Sequence, residues 1–289
     1  MKHRDSKKVA LVTGASAGIG KAIARRLLRD GWRVYGGARR VEQMADLAAE
    51  GAQVVALDVT DEGSMQGVVQ GILRSEGRLD ALVNNAGYGA YGALEDVPLD
   101  DARRQFEVNV FGLMRLCQLV LPTMREARSG TIVNISSMGG RIWMPIGGWY
   151  HATKHALEVL SDALRVETAP FGIKVVVVQP GAIESEWAAI SARNLIAATR
   201  DSVYRDQAEP MAQVLSHYDN AAHPDVVASA VSKAVNSARP RRRYATPMDA
   251  KAMIFLRWLL PEAWWEALVR VALRQAARGA QKAVASGAS

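Results

Sequence analysis

Cysteine is nearly absent. The 289 residues hold one, Cys117, which excludes an intramolecular disulfide. It falls in the apolar helical pattern LMRLCQLVL, so a buried structural thiol is expected. Long apolar runs are absent too, and no stretch reaches the ~18 residues of a membrane span. Residues 1–8 are charged and lead into a strand pattern with no apolar leader, which points to a cytoplasmic protein rather than a secreted one. The five histidines lack paired carboxylates or cysteines at ligand spacing, so no metal site is expected. Acidic residues are outnumbered: the net charge is +7 and the pI near 9.7. The densest basic cluster, RPRRR at Arg239–Arg243, reads first as a solvated loop and second as a site for an anionic partner or membrane headgroup. No nucleic-acid motif accompanies it, so nucleic acid is not an expected partner.

Short β-branched runs alternate with amphipathic helical patterns. Strands are expected at 8–13, 32–39, 52–59, 79–85, 131–137 and 173–179, and a short one at 244–246. Helices fall between them, including a long one over about 100–127 and one from about 148 to Pro170. Strands separated by helices imply a parallel sheet covered on both faces. From Ile183 to Tyr218 the strand rhythm stops in a polar, alanine-rich, helix-compatible insertion, placed to cover a ligand site. Two C-terminal helices, 250–260 and 262–278, are split by Pro261, and the last ten residues look frayed. The expected organisation is one α/β domain over 1–248, with a lid at about 183–218, and a helical extension over 249–289.

The first strand runs into GASAGIG. Gly14, Gly18 and Gly20 lie where backbone must approach a phosphate at a helix N-terminus. At the end of the second strand stand Ala38, Arg39 and Arg40, with no carboxylate before Glu42. A carboxylate there would bind both adenosine ribose hydroxyls and repel a 2′-phosphate, whereas Arg39 offers a fork for that phosphate. The cofactor expected is therefore NADP(H) rather than NAD(H). Asp58 suits either an adenine amino group or the cap of the following helix.

The stretch from Ser136 to Lys154 carries candidate proton chemistry. Tyr150 and Lys154 are one helical turn apart and share a face. Alone, that spacing is a weak pattern, common on amphipathic helices. Ser137 lies upstream, across a loop of glycines and bulky apolar residues; Ser136 alternates to the other side of its strand. His151 and His155 are turned about 100° from Tyr150 and Lys154 and read as structural.

The motifs TGASAGIG (13–20), LDVT (57–60), NNAG (84–87), FEVNVFG, IVNISS (132–137), YHATK (150–154) and QPGAIES (179–185) stand in an order and spacing that resemble the short-chain dehydrogenase/reductase family over residues 8–245. The resemblance implies a Rossmann-type, doubly wound, seven-stranded parallel sheet with helices on both faces. VYGGARR, GGRIWMPIGGWYHATKHALE and the long C-terminus look like its NADP-using, 17β-hydroxysteroid- or retinol-dehydrogenase-like group. It implies a site of Asn109, Ser137, Tyr150 and Lys154. Tyr150 would be the general acid/base, Lys154 would favour its phenolate and bind the cofactor ribose, and Ser137 would hold the substrate oxygen. Asn109 would open a kink and relay protons through water. Cofactor contacts would come from Gly14, Ser16, Gly18, Ile19, Gly20, Arg39, Arg40, Asp58, Val59, Asn85, Ala86, Gly87, Tyr150, Lys154, Pro180, Gly181, Ile183 and Ser185. Two positions depart from the common pattern: Ala17 stands where many NADP-using members have a basic residue, and Ser185 where many have threonine.

The candidate pocket wall is apolar and aromatic: Tyr88, Tyr91, Met138, Ile142, Trp143, Met144 and Trp149. It suits a hydrophobic alcohol or its ketone or aldehyde, and NADP use tilts the direction towards carbonyl reduction. A cofactor-sensing module without turnover, or an epimerase or dehydratase on the same scaffold, are the alternatives. The C-terminal helices, with Trp258, Trp264 and Trp265 among leucines and arginines, suit peripheral membrane contact, packing on their own domain, or a partner subunit. The resemblance implies a homodimer or homotetramer through the helices at 100–127 and 148–170.

Overall fold

Seven short runs pair into one parallel sheet: β1 (Val9–Thr13), β2 (Arg33–Ala38), β3 (Gln53–Ala56), β4 (Ala81–Asn84), β5 (Gly130–Ile135), β6 (Ile173–Pro180) and β7 (Arg243–Thr246). A computed structural model describes residues 7–184, 186–216 and 221–286 of the chain. The strand order is β3-β2-β1-β4-β5-β6-β7. Between and after the strands come α1 (Gly18–Arg29), α2 (Ala45–Ala49), α3 (Glu62–Glu76), α4 (Leu99–Phe106), α5 (Leu113–Glu126), α6 (Gly148–Thr168), α7 (Glu186–Ala198), α8 (Arg205–Ser216), α9 (Asp225–Asn236), α10 (Met248–Leu259) and α11 (Glu262–Ser286).

β1, β4 and β5 are buried along their whole length, as strands covered on both faces must be. Successive side chains go to opposite faces. Ala10 and Val12 join Ile23 and Leu27 of α1 and Val227 and Val231 of α9. Val9 and Leu11 join Met65 and Ile72 of α3, Leu116 and Met124 of α5, and Leu157 and Leu164 of α6. Cys117 is buried in that second layer as expected, and burial pushes its thiol up to about 12. It is a packing residue, not a nucleophile.

The sequence pattern and the elements differ in three places. The run after β2 divides into a 3₁₀ turn at Val41–Met44 and the short α2. The long helix over 100–127 is interrupted by a π-helical turn, Glu107–Gly112, between α4 and α5. The final helix, α11, extends to Ser286, well into the segment expected to fray, where alanine-rich sequence sustains helix.

From β1 the chain winds outward to β3, then returns to place β4 on the other side of β1. Such a switch opens a crevice at the C-terminal ends of the strands. The Gly14–Gly20 turn and the Asn85–Gly87 turn both lie there.

Candidate active site

The glycine turn is shaped by contact as well as by conformation. Gly14 and Gly18 have φ of +67° and +51°, in the left-handed region. A Cβ on Gly20 would sit 2.2 Å from the Gly14 carbonyl oxygen, so no other residue fits. Ala17 at the N-cap of α1 contributes no side-chain hydrogen bond, which leaves first-turn N–H groups for a ligand. Asn85 Nδ2 donates to the Thr13 and Gly14 carbonyls at 3.0 and 3.3 Å. Thr13 Oγ1 accepts from the N–H groups of Asn85 and Ala86 at 3.0 and 2.9 Å. The two turns are thus locked together across the switch point, and this cradle fits a dinucleotide phosphate.

Arg39 and Arg40 are exposed just after β2, and neither has an ion pair among the described residues. Burial pushes the Asp58 carboxyl up, but its hydrogen bonds from Thr60, at 2.9 and 2.7 Å, and the nearby Arg39 charge outweigh it and hold it below the usual range. The cap of α3 is Asp61, not Asp58. Val59 is buried beside Gly112. Pro180 ends β6, the Gly181 N–H donates to Thr246 O at 2.9 Å, and Ile183 bridges to Ala222. Ser16 and Ile19 lie half-buried at the turn. Ser185 lies outside the described residues.

Tyr150 and Lys154 share one face of α6, with Lys154 Nζ 5.9 Å from the Tyr150 ring centre. Nζ donates to the Ile135 carbonyl at 3.1 Å. Burial pushes the Lys154 ammonium down to about 8, with Glu158 pulling the other way. Ser137 caps the turn Met138–Gly140: its Oγ accepts from the Gly139 N–H at 3.0 Å, so its own O–H can donate to a substrate. Ser136 Oγ turns instead into the interior, towards Gly140 and Glu158.

Asn109 lies in the π-helical turn. Its Oδ1 accepts from the Tyr88 N–H at 3.0 Å, while Nδ2 donates to Tyr88 O at 2.9 Å and to Thr153 Oγ1 at 3.1 Å. Thr153 Oγ1 donates in turn to the Tyr150 carbonyl at 2.8 Å. Asn109 thereby fixes the turn after β4 to the helix that carries Tyr150. A Cβ on Gly87 would lie 3.0 Å from Asn109 Oδ1 and 3.7 Å from Lys154 Nζ, so the bare backbone of Gly87 lets these groups converge.

Glu158 was not among the residues singled out in the sequence. One turn beyond Lys154 and 2% exposed, it accepts from Gln179 Nε2 at 3.0 Å and Arg243 Nε at 2.9 Å. Arg243 also pairs with Asp162. The reading of RPRRR as a solvated loop therefore fails at Arg243, which turns inward because a buried carboxylate needs a partner. Arg239, Arg241 and Arg242 are exposed.

The roof of the site is apolar. Tyr91 lies 5.5 Å from Tyr150, ring to ring, and both pack with Ile146, Leu195 of α7 and Met211 of α8. A cavity of about 690 Å³ opens beside this cluster, lined by Leu94, Trp143, Met144, Pro145, Ile146, His151, His155 and Tyr204. Of the candidate wall residues, Trp143 and Met144 line it. Ile142 packs with Trp265 and Val269 of α11, with Met138 against them. Trp149 stands edge-on to Phe106 of α4, at 6.5 Å, away from the cavity. His151, read as structural, donates from Nδ1 to the Gly139 carbonyl at 3.0 Å, lies at the cavity wall and stands edge-on to Tyr150 at 5.7 Å.

Residues 8–195 match the family model described as short chain dehydrogenase. The chain belongs to the short-chain dehydrogenase/reductase family. A probable short-chain type dehydrogenase/reductase, VdlC, of Helicobacter pylori is 34% identical over 91% of this chain and 97% of its own length. A 3-ketodihydrosphingosine reductase of Bacteroides thetaiotaomicron is 37% identical over 81% of this chain and 85% of its own. An NADPH-dependent 3-dehydrocapnine reductase of Ornithobacterium rhinotracheale is 37% identical over 62% of this chain and 66% of its own. Among solved structures, a short-chain dehydrogenase from Streptomyces avermitilis superposes with a TM-score of 0.78 at 37% identity, covering 92% of this chain and 98% of that one. Like its short-chain dehydrogenase/reductase relatives, the protein is an oxidoreductase that acts on a CH–OH group with NAD(P).

Proposed function

We propose that the protein is an NADPH-dependent reductase of lipophilic ketones, with Tyr150 as the proton donor. The observation that carries this reading is the Tyr150–Lys154 pair under an apolar roof, beside a cavity walled by Trp143, Met144 and Ile146. Two of the relatives are named as a 3-ketodihydrosphingosine reductase and an NADPH-dependent 3-dehydrocapnine reductase. A lipophilic ketone needs an apolar enclosure for its hydrocarbon part and one polar point for the carbonyl.

When bound, the cofactor supplies the hydride. Ser137 donates a hydrogen bond to the carbonyl oxygen, and Tyr150 donates its proton as that oxygen gains charge. The ammonium of Lys154 favours the phenolate that remains. α7 and α8 act as a lid that keeps water from the reacting carbonyl.

The test is consumption of NADPH at the nicotinamide absorbance band with a series of ketones of rising chain length. Turnover should rise with chain length, and Tyr150→Phe should lose at least ~100-fold in kcat while still binding NADPH. Retained turnover in Tyr150→Phe would remove it as the proton donor, and a preference for short polar ketones would remove the substrate class. Arg39 and Arg40, at a strand end whose sequence offers no carboxylate before Glu42, support the choice of NADPH. Arg39→Asp should lower the NADPH-to-NADH ratio of kcat/KM by about 10-fold or more, the size of a lost bidentate phosphate contact. An unchanged ratio would show that Arg39 does not discriminate.

A further inference from the structure

The C-terminal helices carry an apolar surface that the fold leaves uncovered. On α10, Phe255, Trp258 and Leu259 recur at helical spacing and are exposed, Trp258 at 77%. The Phe255 and Trp258 rings pack on each other at 5.9 Å. On α11, Trp264, Leu268 and Val271 repeat the spacing, with Trp264 at 69%. The inward row of α11 is separate: Trp265, Val269 and Leu273 pack on the body. The outward rows are therefore not the fringe of the core.

Charge is divided as unevenly as hydropathy. Of the chain's 36 basic and 29 acidic residues, ten and three lie between Arg239 and Ser289, which leaves twenty-six of each in residues 1–238. The body is formally neutral and the C-terminal segment carries the whole +7. Lys251, Arg270 and Arg274 are exposed on the same helices as the apolar rows. The three acids there are engaged: Asp249 accepts from the Ala182 N–H, Glu262 from Trp143 and Arg257, and Glu266 from Arg270.

We infer that α10 and α11 form a docking surface for an anionic lipid bilayer. Exposed tryptophan, phenylalanine and leucine beside arginine and lysine suit the headgroup boundary, where rings bury and cations meet lipid phosphates. No helix of the described residues is long and apolar enough to cross a membrane, so these helices lie on it. Nucleic acid gives no such role to the aliphatic residues. A second copy docked through the same patch would set two helical extensions against each other, each with six basic and three acidic residues from Met248 on and so of formal charge +3.

The same helices hold the wall of the cavity. Trp143 Nε1 donates to Glu262 Oε1 at 3.1 Å, and Trp265 Nε1 to Trp143 O at 3.4 Å. A bilayer beneath α10 and α11 thus lies next to the loop that lines the cavity. The inference does not depend on the proposed substrate, because binding is read without turnover.

The test is flotation of the full chain with phosphatidylcholine vesicles, with and without phosphatidylglycerol, at low and high salt. The protein should float with phosphatidylglycerol vesicles at low salt and be released at high salt. Trp258→Ala with Trp264→Ala should weaken flotation by about 10-fold or more. Arg270→Glu with Arg274→Glu should do the same. Both pairs are exposed, and NADPH binding serves as the control for folding. No flotation on anionic vesicles, or equal flotation of the tryptophan double variant, would overturn the inference. So would a change of oligomeric state in that variant, by light scattering, with flotation unaltered, since it would assign the patch to a second copy.

Discussion

An ammonium buried one turn from the phenol it is proposed to assist is costly to keep charged. In the ligand-free protein burial brings Lys154 down to about 8, and Glu158 limits the fall. The charged form is the one that favours a phenolate, so kcat/KM for the proposed NADPH-driven reduction should hold below pH 8 and decline above it. The effect on stability has the opposite sign. Between about 8 and the ordinary 10.5 of a lysine, the unfolded chain keeps a proton that the folded chain has released, so this group's contribution to stability rises with pH. Activity should therefore fall across a window in which Lys154 opposes folding less and less. A pH profile of kcat/KM beside a thermal melt over the same range checks both signs. A rate that stays level through that window would show that the Lys154 charge is not needed.

At the scale of elements, what could be read from the sequence was what repeats locally. The strands are short, apolar and β-branched, and all seven formed near their expected places. Gly14, Gly18 and Gly20 announce a turn because their spacing between a strand and a helix has few other uses. The tyrosine and lysine of α6 are legible for the same reason, since a helix puts fourth neighbours on one face. The interruption at Glu107–Gly112 shows in the sequence as a helix-poor asparagine, but its form depends on what Asn109 reaches. That is Tyr88 and Thr153, 21 and 44 residues away. The wall residues divided along the same line. Trp143 and Met144 line the cavity, whereas Ile142 packs under Trp265, 123 positions later by number. Nothing local in GGRIWMPIGGW distinguishes a side chain facing a ligand from one facing α11.

Behind Lys154 the whole molecule closes on itself. Glu158 of α6 meets Gln179 of β6, Arg243 of β7 and, at 3.4 Å, Arg141 of the loop after β5. Asp162, one turn further on α6, takes the other side of Arg243. No sequence spacing links these positions, and Arg243 sits in a basic run whose other exposed members face solvent. The pair is costly to bury and costlier to break, because one partner left alone keeps its charge without water. Glu158→Gln should destabilise by about 3 kcal/mol, near the low end for a broken buried pair, since Asp162 still holds Arg243 and the amide can still bond Gln179. For a chain of this size that is a fall of roughly 5 °C in Tm. The same change removes the carboxylate that holds the Lys154 ammonium up, so the high-pH limb of reduction should move to lower pH. A loss of stability with an unmoved limb would make Glu158 a brace for β7 alone. A moved limb would make it a positioning residue for Lys154, acting through charge from the next turn of the helix.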